Sequence, residues 1–158
     1  MSEAWEERLN ELLPLYGHRN WIVVADAAYP AQSNPGIETL ATGADQLDVV
    51  KTVLERIGAC SHVRAHVLTD REFGFVSEAD APGVDRYRRE LKKLFARADI
   101  VDLPHEQIIH KLDEAANLFH ILLLKTTMTI PYTTVFFELD CGYWTAEAEQ
   151  RLRQAFGA

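Results

Sequence analysis

The stretch YGHRNWIVVADAAYP, residues 16–30, contains a five-residue apolar run, Trp21 to Ala25, with His18 shortly before it and Asp26 at its end. A continuous apolar run of this length, bounded by turn residues, reads as a strand buried on both faces. Such strands belong to sheets covered by helices, so the run points to an α/β chain. The polar residues at its two ends have no place in a core and are the first candidates for function.

Helical patterns surround this strand. Trp5, Leu9, Leu12 and Leu13 recur at helical spacing, and Pro14 and Gly17 close that segment. AQSNPGIETLATGAD, residues 31–45, is rich in Ser, Asn, Pro, Gly and Thr and is expected to be a long loop of the kind that carries sites. In DQLDVVKTVLERI, Leu47, Val50, Val53, Leu54 and Ile57 share one helical face, with Gly58 as a stop. Val63 to Leu68 reads as a second strand, followed by Thr69, Asp70 and Arg71 and by a polar loop, FGFVSEADAPG. VDRYRRELKKLFARA, residues 84–98, is an amphipathic helix with Tyr87, Leu91, Leu94 and Phe95 as its apolar stripe. Ile100 to Leu103 is a short strand, and PHEQIIHKLDEAANL opens a helix with proline in its first turn. FHILLLKT and TTVFFELD are two further strands separated by TMTIPY. This alternation implies a three-layer α/β/α sandwich around a central, mostly parallel or mixed sheet. Residues 1–142 are expected to form one domain, with 143–158 a C-terminal helical extension of it.

Composition narrows the function classes. A chain of 158 residues, 47% apolar, is long enough for one full core. A net charge of −8 argues against nucleic acid, whose binders concentrate Lys and Arg to replace counterions. The longest apolar run, Leu118 to Leu124, contains His120 and is too short to span a bilayer. The acidic start MSEAWEERLNELL lacks the basic and apolar regions of a secretory signal, so the cytoplasm is the expected compartment. Cys60 and Cys141 have no paired spacing and read as buried thiols. His62 and His66, without a third ligand at clear spacing, read as strand residues facing water, so no metal site is expected. No glycine-rich phosphate loop follows the first strand, which disfavours a dinucleotide enzyme.

YGHRNWIVVADAAYPAQS resembles the signature of the D-ribose pyranase and L-fucose mutarotase family, in which a Gly-His pair is followed eight residues later by a strand-terminal Asp and then by an aromatic-Pro pair. IPYTTVFFELDCG is similar to that family's closing segment, where a Tyr opens the last strand; Tyr132 matches, and Thr134 stands where Asn is usual. LPHEQII resembles the segment that supplies a substrate-contacting His in ribose-type members, here His105. ADQLDVVKTVL is similar to the fucose-type members. The match is collinear over most of residues 10–142, and YWTAEAEQRLRQAFGA lies beyond the family's usual end.

The resemblance implies a cofactor-free isomerase acting on a monosaccharide, assembled as a ring-shaped homo-oligomer, commonly a decamer of two pentamers, with the site between adjacent subunits. Interconverting anomers, or pyranose and furanose rings, opens a hemiacetal and needs an acid and a base. Histidine, with a reference pKa of about 6.5, suits either role. His18 is the implied proton donor. Asp26 would accept hydrogen bonds from sugar hydroxyls, and Tyr132 would stack on the sugar's apolar face. His105 and Thr134 complete the binding set. Lys125 is a lone cation in an apolar strand, and Asp70 and Arg71 follow a strand and would line the mouth. The rival from another class is a non-catalytic monosaccharide-binding or sugar-transport accessory protein, which would keep Asp26 and Tyr132 without depending on His18.

Overall fold

The structure is a computed structural model that describes residues 3–96 and 100–157. Six strands form one mixed sheet in the order β2-β5-β1-β6-β3-β4. They are β1 (Trp21–Ala25), β2 (Ile37–Ala41), β3 (Val63–Asp70), β4 (Ile100–Leu103), β5 (Ile121–Lys125) and β6 (Val135–Cys141). β1 and β2 run parallel to β5, and β3 runs parallel to β4. β6 lies between β1 and β3 and is antiparallel to both. The ends of β1 and β3 therefore meet the beginning of β6 along one edge of the sheet.

Alternation of side chains divides the core into two layers. Ile22 and Val24 of β1 and Leu122 and Leu124 of β5 point to the face covered by α1 (Ala4–Leu12), α2 (Gln46–Gly58) and α3 (Val84–Leu94). Trp21, Val23, Ile121 and Leu123 point to the opposite face, where α4 (His105–Ala116) packs through Ile108, Leu112 and Ala116. This two-sided burial explains why β1 and β5 read as unbroken apolar runs. In α2, Val49, Val50 and Val53 are fully buried, and each such side chain is worth about 1.5–3 kcal/mol.

The expected sandwich is present, and its departures from the sequence reading are local. The supposed loop 31–45 contains β2, an edge strand whose burial is partial, so its composition is that of a strand with one solvated side. Gly58 is the last residue of α2 rather than its stop, and Ala59 caps the helix in ordinary αR geometry. The tail of the helix expected over residues 84–98 lies outside the described residues beyond 96. Both cysteines are free and only half-buried. His62 does not face water: its Nε2 lies 3.0 Å from the carbonyl of Leu13 and 3.1 Å from that of Tyr16. α5 (Ala146–Phe156) is capped by Thr145, whose hydroxyl accepts from Ala148 N at 3.0 Å, and it has no buried residue.

Candidate functional site

Pairing of β1 with β6 aligns Val24 with Val135. The residues just beyond that pair, Asp26 and Thr134, are thereby brought together, and the Thr134 hydroxyl donates to Asp26 Oδ1 at 2.8 Å. Two residues earlier Tyr132 has φ of 61°, a left-handed conformation that costs free energy in a bulky residue. The backbone beside it is fixed from beneath. The Thr133 carbonyl accepts from Gln46 Nε2 at 2.9 Å and from the Tyr87 hydroxyl at 3.0 Å. Gln46, almost fully buried, also donates to the Val24 carbonyl at 3.1 Å, and its Oε1 accepts from the Thr126 hydroxyl at 2.7 Å. One amide thus ties the ends of β1, β5 and β6 to one another.

The other half of the site comes from β3 and β4. Their parallel register sets Asp70 opposite Leu103. The chain then turns at Pro104 into α4, so that its first residue, His105, reaches back over Asp70. His105 Nδ1 lies 2.9 Å from Asp70 Oδ1. The His105 backbone N–H donates to the Glu72 carboxylate at 2.9 and 3.2 Å, which satisfies an otherwise orphan amide at the start of α4. Asp70 is 2% exposed, and burial pushes its carboxyl up to about 6 against the opposing pull of His105. The imidazole of His105 meets the ring of Tyr132 edge-on, with centroids 5.8 Å apart.

Asp26, Asp70, His105, Tyr132 and Thr134 line a single cavity of about 370 Å³, within the size range of small-molecule sites. Tyr29, Gln32 and Ile109 are among the other residues of its wall. These three escaped the sequence reading as individual residues. Tyr29 was visible only as half of an aromatic-Pro pair, while Ile109 shows a pattern indistinguishable from a core position of α4. The Tyr29 hydroxyl is buried without a well-formed hydrogen bond, and burial pushes its pKa upward.

The remaining candidates lie elsewhere. Lys125 ends β5 and does not line the cavity. Arg71 turns outward to Asp102, with Nε 3.1 Å from Oδ1. His18 is at the opposite end of β1 from Asp26, and its Nδ1 lies 2.9 Å from Asp140 Oδ1 near the end of β6. The fold of one chain therefore unites five of the eight candidates and separates His18 from them by the length of the central strand.

Solved structures share this architecture. Bacillus subtilis RbsD complexed with D-ribose superposes with a TM-score of 0.60 at 20% identity, covering 89% of this chain and 96% of that one. The fucose mutarotase of Streptococcus pneumoniae, solved with L-fucose, gives 0.55 at 19% identity, with coverage of 84% and 91%. FucU from Bifidobacterium longum gives 0.55 at 18% identity, with coverage of 84% and 92%. No curated protein sequence matches the chain. The sequence profile of the RbsD / FucU transport protein family matches residues 2–139, and on that match the chain belongs to this family.

Proposed function

We propose that the cavity binds a monosaccharide and catalyses interconversion of its anomers, or of its pyranose and furanose forms, without a cofactor. The observation that carries this reading is the convergence of a carboxylate, a His-Asp pair and an aromatic ring on one cavity of about 370 Å³. Two of the similar structures hold D-ribose and L-fucose, which supports a sugar of that size as ligand.

The reaction is a proton relay. A base takes the proton from the anomeric hydroxyl while an acid delivers one to the ring oxygen; the bond from the anomeric carbon to that oxygen breaks and leaves an open-chain aldehyde. Rotation and reclosure on the other face give the second anomer, and closure by a different hydroxyl gives the other ring size. His105 with its Nδ1 proton donated to Asp70 presents an unprotonated Nε2, the form a base requires. Asp26 has one oxygen satisfied by Thr134 and offers the other to sugar hydroxyls. The Tyr132 ring provides an apolar surface at the mouth, where it is 40% exposed. His18 enters as acid from a neighbouring subunit of a homo-oligomer, because its own chain holds it at the far end of β1.

Exchange NMR on a panel of monosaccharides tests the reading. Wild-type protein is expected to accelerate exchange of one or a few sugars, and His18→Ala and His105→Ala to remove about a hundredfold or more of that rate. Saturable binding with no acceleration, lost in Asp26→Ala and unchanged in His18→Ala, would establish the accessory-protein alternative instead.

A further inference from the structure

The turn that carries His18 is fastened to the far end of β6. Arg19 N donates to the Leu139 carbonyl at 3.0 Å, and Leu139 N donates to that of Asn20 at 2.9 Å. Gly17 N donates to the Asn20 side chain at 2.7 Å, and Arg19 takes a left-handed φ of 77°. These contacts bring His18 beside Asp140, the residue that follows Leu139.

Asp140 is held before His18 reaches it. Its carboxylate accepts from Cys141 N at 2.7 Å and from Arg64 Nη2 at 3.2 Å, while His66 Nε2 lies 2.8 Å from Oδ2. Burial pushes the Asp140 carboxyl up, but His66, the Cys141 amide and Arg64 together outweigh burial and hold it below the ordinary carboxylate range. It is ionised at neutral pH. His18, by contrast, is 58% exposed on a turn, and without a partner its ring would sample both tautomers and several rotamers.

We propose that Asp140 is the positioning residue for His18: Oδ1 fixes the proton on Nδ1 and aims Nε2 outward as the nitrogen that handles protons. The inference rests on the isomerase reading above, in which His18 works in a neighbouring subunit's cavity. Arg19 Nε approaches His18 Nε2 at 3.4 Å and would have to withdraw for that nitrogen to carry the acid's proton. The logic is that of a carboxylate orienting a catalytic imidazole, where the wrong tautomer is costly even though the carboxylate never touches substrate. One carboxylate thus serves two imidazoles, His18 at Oδ1 and His66 at Oδ2. The other charged groups bordering them are Arg19 on the same turn, Arg64 on β3, Glu138 on β6 with Lys111 of α4 at 3.8 Å, Glu114 on α4, and Glu149 with Arg153 on α5.

The test combines imidazole ¹⁵N NMR with exchange kinetics on wild type, Asp140→Asn and Asp140→Glu. In Asp140→Asn the His18 ring is expected to lose its Nδ1–H preference. The rate constant kcat should fall about ten- to a hundredfold with KM changed less than about twofold. Asp140→Glu should restore part of both. An unchanged His18 tautomer, or a rate like wild type in Asp140→Asn, would overturn the inference. If wild-type protein accelerates no sugar, the isomerase reading fails on that result alone, and the NMR still decides whether Asp140 orients His18.

Discussion

Asp70 is a buried carboxylate whose ionisation the fold opposes. Its pKa rises from an ordinary 3.8 to about 6, chiefly through burial. The folded chain therefore keeps this proton between about pH 4 and 6, where the unfolded chain has released it. The stability it contributes is full below about pH 4 and is lost as pH climbs through 6; at about 1.4 kcal/mol for each tenfold difference, the loss is about 3 kcal/mol. Urea denaturation at several pH values should show Asp70→Asn gaining on wild type over that window and remaining up to about 3 kcal/mol more stable at pH 7. A constant difference between the two proteins would contradict the account. The variant should also lose sugar exchange, because His105 would lose the carboxylate that sets its tautomer. Thr134 offers a second test at this scale. Thr134→Val keeps the shape but removes the donor to Asp26 Oδ1, and calorimetric titration should show sugar affinity weakened by about three- to tenfold, the value of one hydrogen bond.

At the scale of elements, Gln46 connects the ends of β1, β5 and β6, the first and last of which carry Asp26 and Thr134 into the site. Gln46→Leu would remove one donor from the Val24 carbonyl, one from the Thr133 carbonyl, which keeps Tyr87, and an acceptor from the Thr126 hydroxyl, at a cost of about 1–3 kcal/mol measured by chemical denaturation. The larger effect should be on Tyr132, whose left-handed backbone depends on its neighbour Thr133 being held. Periodicity reveals neither property. In DQLDVVKTVLERI the amide of Gln46 sits at the helix start and reads as a polar first-turn residue, and nothing local shows that three strand ends converge above it. The same limit explains β2. Its alternation is weak because an edge strand has one partner and a solvated side, and its flanking Asn, Pro and Gly residues outweighed the short apolar run. By contrast β1 and β5 are legible because burial on both faces demands apolar residues throughout, while β3 and β6 show through shorter apolar stretches, Val67–Leu68 and Val135–Phe137, beside polar residues on their open positions. Asp26 and Tyr132 were found through motif spacing, and Thr134 as a departure within that motif. The pairing of Asp70 with His105 was not, since 35 residues separate them and only the β3–β4 register brings them together.

For the whole molecule, the C-terminal helix and the central strand matter most. α5 follows the family match, which ends at residue 139, and has no buried residue. Ending the chain at residue 142 should therefore change the unfolding free energy by less than about 1 kcal/mol, as is usual for exposed positions; a large loss in a denaturation experiment would mean that α5 is covered in solution. β6 has the opposite character. Its seven residues span roughly 20 Å at about 3.4 Å each, with Thr134 at one end and Asp140 at the other. If His18 acts in a neighbour's cavity, this strand divides the chain's lesions into two classes. In genetic terms, an allele carrying Asp26→Ala and an allele carrying His18→Ala would complement each other when expressed together, because mixed rings still contain intact junctions. Two alleles damaged at the same end, Asp26→Ala with Tyr132→Ala, would not, and one gene would behave as two complementation groups.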